Sequence, residues 1–248
     1  RRPQLGLMVE VIGHRGASTE APENTLAANN LAFQQKADGV EVDVRLTKDK
    51  QLVCMHDKSA FRTAGKRNLI KESTLKQLKS LDVGKWKGKK WSGEAIPSLQ
   101  EVLSQMPLNK KIFIEVKEGI ETIDPLIEDI QKSNLDPKYI SVISFHQEVV
   151  KRVKLAMESL TVNFLIAFSG PKEFLNEEVL LKLLEFNLDG VGAENHLRLS
   201  RNFVDLILEK NKKVHVWIVD DIQQAKKYKE MGLSSITTNL PGLIKSAL

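Results

Sequence analysis

The sequence predicts an α/β protein, a (β/α)8 TIM barrel with a small insertion after its second strand, and three observations predict it. Short apolar runs alternate with amphipathic stretches from residue 111 to residue 238, and repeated βα units of this length imply parallel strands. Adding the strands expected before residue 47, and setting aside one hairpin return, brings the count to eight, which closes a barrel. The length, 248 residues, is that of one such barrel of about 250. The whole of 1–248 is therefore expected to be one domain.

The elements follow from local pattern. Leu5 to Ile12 reads as the first strand, ending at Gly13, and Gly16 permits a tight turn. Pro22-Glu-Asn24-Thr25 opens a helix with Ala28, Leu31 and Ala32 on one face. Gly39 to Leu46 is a strand, Lys48-Asp49-Lys50 a polar turn, and Gln51 to Met55 an apolar return. So short a connection demands an antiparallel hairpin, and counting outward from Asp49 sets Met55 or His56 opposite Asp43. From about residue 57 to 96 the pattern loosens into the insertion, with one helix, Thr74 to Leu81, capped by Ser73. Ser98-Leu-Gln-Glu101 is a capping box for a helix buried through Leu99, Val102, Leu103 and Met106.

The alternation then becomes regular. Strands are expected at Lys111–Val116, Ile140–Phe145, Val162–Phe168, Asp189–Ala193, Val214–Val219 and Ser235–Thr238. Helices are expected at Ile120–Gln131, His146–Met157, Glu177–Phe186, Arg201–Lys210 and Ile222–Met231.

Composition narrows the function classes. Apolar residues make up 42%, enough for a large core. The net charge of +5 is spread out, and the Lys85–Trp91 interleaving reads as a solvated loop, so no nucleic-acid partner is expected. A single cysteine, Cys54, excludes an internal disulfide and a multi-cysteine zinc site. No run reaches the roughly 20 apolar residues of a membrane span. The chain begins with Arg1, which implies that a signal peptide or the natural start has been removed. A soluble protein is expected, cytoplasmic by preference, with secretion or a periplasmic location left open, as is the oligomeric state.

The chemistry-bearing residues sit where a barrel does chemistry. Strand ends at the C-terminal mouth carry function, and His14, Arg15, Lys117, Phe145, Glu194 and Trp217 fall there. Residues two apart on a strand share a face, so Glu41 points with Asp43 and Glu115 with Lys117. Two neighbouring carboxylates repel unless a cation or proton lies between them. With Glu115, His14, His56, Arg15 and Lys117 they form a set suited to a hard metal and a phosphate ester. Salt bridges from Arg15, Arg45 or Lys117 are the competing use of the three acids.

At these residues the chain resembles the glycerophosphodiester phosphodiesterase family. The resemblance runs through His14-Arg15-Gly16, Pro22-Glu-Asn24-Thr25, Gly39-Val-Glu41-Val-Asp43, Thr47-Lys-Asp49, His56-Asp57, Ile96-Pro-Ser-Leu99, Glu115-Val-Lys117, Ser144-Phe145, Trp217 and Ile236-Thr-Thr238. It implies the barrel and its insertion, one divalent cation (Mg²⁺ or Ca²⁺), and hydrolysis of small glycerophosphodiesters to glycerol 3-phosphate and an alcohol. It also implies catalytic roles for His14 and His56, metal binding by Glu41, Asp43 and Glu115, and phosphate contacts by Arg15 and Lys117.

Two departures stand out. Thr238-Asn239 replaces an acidic residue after the closing Ile-Thr, which bears on substrate preference. Asp49-Lys50 replaces Asp-Gly in the hairpin, at a small cost in a left-handed turn.

Imidazole suits acid–base work near neutral pH, and the sequence does not say which histidine is acid and which is base. The nucleophile is water or the substrate's own glycerol hydroxyl. Phe145 and Trp217 are candidates to wall the substrate pocket, with core packing the alternative. Glu194 lines the pocket or starts a helix. Asn24 is expected to fix the loop under His14, His215 to be a satisfied interior histidine, and His146 and His196 to lie on the surface. Two rival functions remain: a lysophospholipase D-like phosphodiesterase on the same barrel, and a non-catalytic barrel that binds a phosphate ligand.

Overall fold

Strand β1 (Glu10–His14) pairs in parallel with both β2 (Gly39–Leu46) and the last strand, β9 (Ser235–Thr238), and so closes the sheet on itself. The computed structural model describes residues 8–171 and 173–248. After β2 comes the antiparallel return β3 (Leu52–Cys54). The ring then runs through β4 (Lys111–Val116), β5 (Ile140–Ser144), β6 (Thr161–Ile166), β7 (Gly190–Glu194) and β8 (Lys213–Trp217), all parallel. This is the expected eight-stranded parallel barrel with alternating helices. Of the expected first strand, residues 5–7 lie outside the described residues.

The helices are α1 (Leu26–Gln34), α2 (Phe61–Ala64), α3 (Leu75–Lys79), α4 (Leu99–Ser104), α5 (Ile123–Ser133), α6 (Gln147–Ala156), α7 (Asn176–Glu185), α8 (Arg201–Leu208), α9 (Ile222–Met231) and α10 (Pro241–Ala247). Hydroxyl and carboxylate side chains start several of them. Thr25, Ser98, Ser200 and Asp221 each accept the backbone N–H three residues on, satisfying a donor with no intrahelical partner.

Three apolar clusters follow from strand periodicity. Val40, Val42 and Val44 of β2 face outward into the large layer between barrel and helices. Their neighbours Glu41 and Asp43 therefore face inward. Ile12, Phe113, Ile143 and Leu165, with Trp217 against them, fill the barrel interior. The segment after β3 gathers Val53, Met55, Ile70, Leu78, Val83 and Ile96 around a small nucleus of its own. Cys54 is buried, and burial pushes its thiol pKa up, consistent with inert filler.

Several boundaries are corrected. Thr74, not Ser73, caps the insertion helix, because its hydroxyl reaches Gln77 N and Gln77 answers its backbone in a full capping box. Ser98 makes only its half of the expected box, since the Glu101 carboxylate is drawn to Lys79 at 2.6 Å. The helix expected from Ile120 begins with a 3-10 turn, Ile120–Thr122, before α5. Beyond the last expected element, Pro241 opens α10, as proline does in a first helical turn.

Candidate active site

The mouth of the barrel begins with a backbone conformation that only a few residue types tolerate. Arg15 has φ 55° and Gly16 φ 81°, and a Cβ on Gly16 would lie 2.5 Å from the Ala28 carbonyl carbon. This tight turn bends the chain off β1 so that the Arg15 backbone N–H donates to Glu41 Oε2 at 3.1 Å. Asn24, also left-handed at φ 57°, lies under the loop as expected. Its Nδ2 donates to Asp43 Oδ2 at 3.0 Å, and Asp43 N–H returns a bond to its Oδ1 at 3.1 Å.

The three acids converge. Asp43 and Glu115 are register partners on β2 and β4. Glu41, Asp43 and Glu115 offer oxygens all within 4.8 Å of one another. Burial, and then the charges of Asp43 and Glu115, push the Glu41 pKa well above the usual carboxylate range. Burial and the Asp43 charge likewise raise Glu115. Asp43 goes the other way: burial opposes its ionisation, but Arg15, Lys117 and the Asn24 amide together hold its pKa below normal.

Two of the three expected competing cations, Arg15 and Lys117, do pair with the acids, whereas Arg45 donates to the His56 carbonyl instead. Lys117 Nζ lies 2.6 Å from Glu115 Oε2 and 3.8 Å from Asp43 Oδ1, and Arg15 Nε lies 3.2 Å from Asp43 Oδ2. They leave Glu41 Oε1 buried without a hydrogen-bond partner among the described residues. Two cations shared among three acids do not discharge the cluster. A set of hard oxygen donors with one orphaned oxygen and one acid driven toward protonation fits a divalent cation.

The histidines flank this cluster. The hairpin register holds as expected: Met55 N–H donates to Asp43 O at 3.0 Å, which carries His56 to the acids. His56 Nδ1 lies 2.8 Å from Asp57 Oδ1, and His14 Nε2 lies 3.8 Å from Glu41 Oε2. His14 Nδ1 lies 2.6 Å from Asn239 Oδ1. Asn239 Nδ2 is committed to Asp220 Oδ2 at 2.9 Å, so its oxygen must face His14 and Nδ1 must carry the proton. Burial, with Arg15 nearby, lowers the His14 pKa and keeps the ring neutral with its lone pair on Nε2.

His14, Arg15, Glu41, Asp43, His56, Glu115, Lys117, Phe145 and Trp217 all line one cavity of about 190 Å³. Phe145 and Trp217 meet edge to face with centroids 5.7 Å apart, and Phe145 stays 43% exposed at the rim, so it is no core residue. Glu194 is outside this lining; it accepts from Ser169 N and Oγ and ties down the loop after β6. His146 is exposed as expected, whereas His196 is half-buried against the Phe168 ring. His215 is only half satisfied: Nδ1 meets Ser235 Oγ at 2.6 Å, while Nε2 has no partner among the described residues.

Sequence reasoning missed the shell behind these groups. Glu23 Oε2 accepts from Arg15 Nη1 at 2.8 Å, and Arg62 bridges Glu23 to Asp57. Asn239 appeared only as a departure from an acidic residue, yet it sets the His14 tautomer.

The family model described as "Glycerophosphoryl diester phosphodiesterase family" matches residues 14–243. A glycerophosphodiester phosphodiesterase of Caldanaerobacter subterraneus subsp. tengcongensis is 31% identical, over 93% of this chain and 94% of that protein. The structure of an Oleispira antarctica phosphodiesterase in complex with the product sn-glycerol-3-phosphate superposes with TM-score 0.86 at 28% identity, over 96% of each chain. The fold is also that of a Thermotoga maritima glycerophosphodiester phosphodiesterase, with TM-score 0.81 at 24% identity over 97% of this chain and 99% of the other.

Proposed function

This chain belongs to the glycerophosphoryl diester phosphodiesterase family, and from that premise we propose that it hydrolyses small glycerophosphodiesters, such as glycerophosphocholine or glycerophosphoethanolamine, to glycerol 3-phosphate and an alcohol. One observation carries this reading: three acidic oxygens within 4.8 Å of one another share a cavity with two imidazoles, an arginine and a lysine.

Glu41, Asp43 and Glu115 would hold one divalent cation, with Mg²⁺ and Ca²⁺ favoured by the all-oxygen donor set. When bound, it supplies charge to stabilise the phosphoryl oxygens as the nucleophile adds. Arg15 and Lys117 are the phosphate-holding cations, Arg15 as a planar fork and Lys117 as a point charge.

The two histidines take different parts. His14 Nε2, with its lone pair free, accepts the proton of the attacking oxygen. Attack by water gives glycerol 3-phosphate directly, whereas attack by the neighbouring glycerol hydroxyl gives a cyclic phosphate that a water molecule then opens to glycerol 3-phosphate. His56 turns Nδ1 to the Asp57 carboxylate, which fixes the direction of the ring and leaves Nε2 to carry the proton that goes to the departing alcohol oxygen. The P–O bond to the alcohol breaks as that proton arrives. Phe145 and Trp217 wall the space beside the phosphate.

The test is release of glycerol 3-phosphate from glycerophosphocholine with Mg²⁺, with Ca²⁺ and in excess chelator. Activity that chelation abolishes and either ion restores supports the reading; undiminished activity in chelator removes the metal role. A lyso-phospholipid assayed in parallel decides between this function and a lysophospholipase D-like one. Among the described residues no helix is long and apolar enough to cross a membrane.

A further inference from the structure

We propose that Arg62, on α2 of the segment between β3 and α4, is a positioning residue that sets both the acid–base histidine and the phosphate-binding arginine through two carboxylates. The proposal rests on the function proposed above for the site. Arg62 Nε and Nη2 donate to Asp57 Oδ2 and Oδ1 at 2.9 and 3.1 Å. Its Nη1 and Nη2 donate to Glu23 Oε1 and Oε2 at 2.7 and 2.9 Å. Each carboxylate then holds one group of the site: Asp57 Oδ1 faces His56 Nδ1 at 2.8 Å, and Glu23 Oε2 accepts from Arg15 Nη1 at 2.8 Å.

Four of the five guanidinium N–H donors are spent in two fork-to-fork pairs, a geometry that lysine cannot reproduce. An exposed ion pair alone contributes little, but this one differs in two respects. The Glu23 side chain is only 10% exposed, and both pairs are bidentate. Hydrogen bonds from Arg62 and then His56 hold the Asp57 pKa down to about 2 despite some burial, so Asp57 stays an ionised acceptor for His56. The Glu23 carboxyl is kept ionised against its burial by Arg62 and Arg15.

The physical consequence is a division of labour. Asp57 fixes the ring orientation of the group that protonates the leaving oxygen, which acts in the transition state. Glu23 fixes the direction of Arg15, which acts on the bound phosphate. One side chain outside the cavity therefore governs two kinetic parameters by two routes. Within the same insertion, the Arg62 guanidinium carbon also lies 5.8 Å from the centroid of the Trp86 ring.

The experiment is a double-mutant cycle on the full chain with saturating divalent cation, using Arg62→Met, Arg62→Lys, Asp57→Asn, Glu23→Gln, R62M/D57N and R62M/E23Q. It reads kcat and KM for glycerophosphocholine and inhibition by inorganic phosphate, after thermal melts establish that each variant is folded. Asp57→Asn is expected to lower kcat about tenfold or more with little change in phosphate inhibition. Glu23→Gln is expected to weaken phosphate inhibition and raise KM by about three- to tenfold. Arg62→Met shows both deficits, Arg62→Lys recovers neither, and each double variant falls short of the product of its singles.

Wild-type kinetics in Arg62→Met, full recovery in Arg62→Lys, or effects that simply multiply would overturn the positioning role. Two further readouts work without turnover: calorimetric binding of inorganic phosphate, and the proton resonance of His56 Nδ1–H in an imidazole-labelled sample. If the wild type hydrolyses no glycerophosphodiester, the functional reading fails. The positioning role is then decided by whether Arg62→Met weakens phosphate binding and shifts that resonance.

Discussion

Asn24 and Asp43 exchange a reciprocal pair of hydrogen bonds, at 3.0 Å from amide to carboxylate and 3.1 Å from backbone to amide oxygen. The clasp joins the loop after β1 to the middle of β2, and it orients a carboxylate whose oxygens lie amid the acid cluster.

Asn24→Ala removes the clasp and puts alanine where φ is 57°. Divalent-ion affinity is expected to fall about 10- to 100-fold, and stability by about 1–3 kcal/mol. Calorimetric titration with Mg²⁺ or Ca²⁺ and a denaturant melt check the two numbers separately.

Glu41→Gln is expected to divide stability from function. With chelator present, a neutral isostere relieves the repulsion that drives Glu41 toward protonation, so the variant should gain about 1–2 kcal/mol. Wild type should be stabilised by added divalent ion, since the ion binds only the native state, whereas Glu41→Gln should respond weakly and be inactive. A melting series with and without Mg²⁺ measures both effects.

His14→Ala and His56→Ala are each expected to lower kcat by about 10²–10⁴. Asn239→Leu should reproduce part of the His14 defect, because Nδ1 then loses the acceptor that fixes its tautomer. Single-turnover hydrolysis of glycerophosphocholine distinguishes these losses from weakened binding.

Acid stability reports on His215. Burial, with minor help from Lys213 and Lys111, lowers its pKa to about 3 in the folded chain, against about 6.5 when unfolded. The unfolded state therefore binds the proton first. This contribution is fully present above about pH 6.5 and is lost as pH falls toward 3, at up to about 1.4 kcal/mol per pH unit. His215→Phe, which keeps a ring against Phe113, should melt with a shallower dependence between pH 6.5 and 4; an unchanged slope would remove His215 from the acid response.

The barrel and its acids were legible because both follow local periodicity. Alternation put Glu41 with Asp43, and the short turn at Asp49 fixed the hairpin register and so the place of His56. Contacts between distant loops leave no such trace: Arg62 meets Glu23 across 39 residues and Asn239 meets His14 across 225. Nor could spacing say that Glu194 serves Ser169, or that Gln77 would select Thr74 over Ser73 as the cap, because those choices are settled by side-chain reach. The Asp49-Lys50 departure proved mild, with Lys50 taking up φ 60°, a cost of order 1 kcal/mol.

The small nucleus of Val53, Met55, Ile70, Leu78, Val83 and Ile96 gives the stretch after β3 its own reason to hold together. Arg62 is thereby carried to Asp57 and Glu23 by a body whose core is separate from the layer between staves and helices, so the reach of that one guanidinium depends on how this nucleus packs.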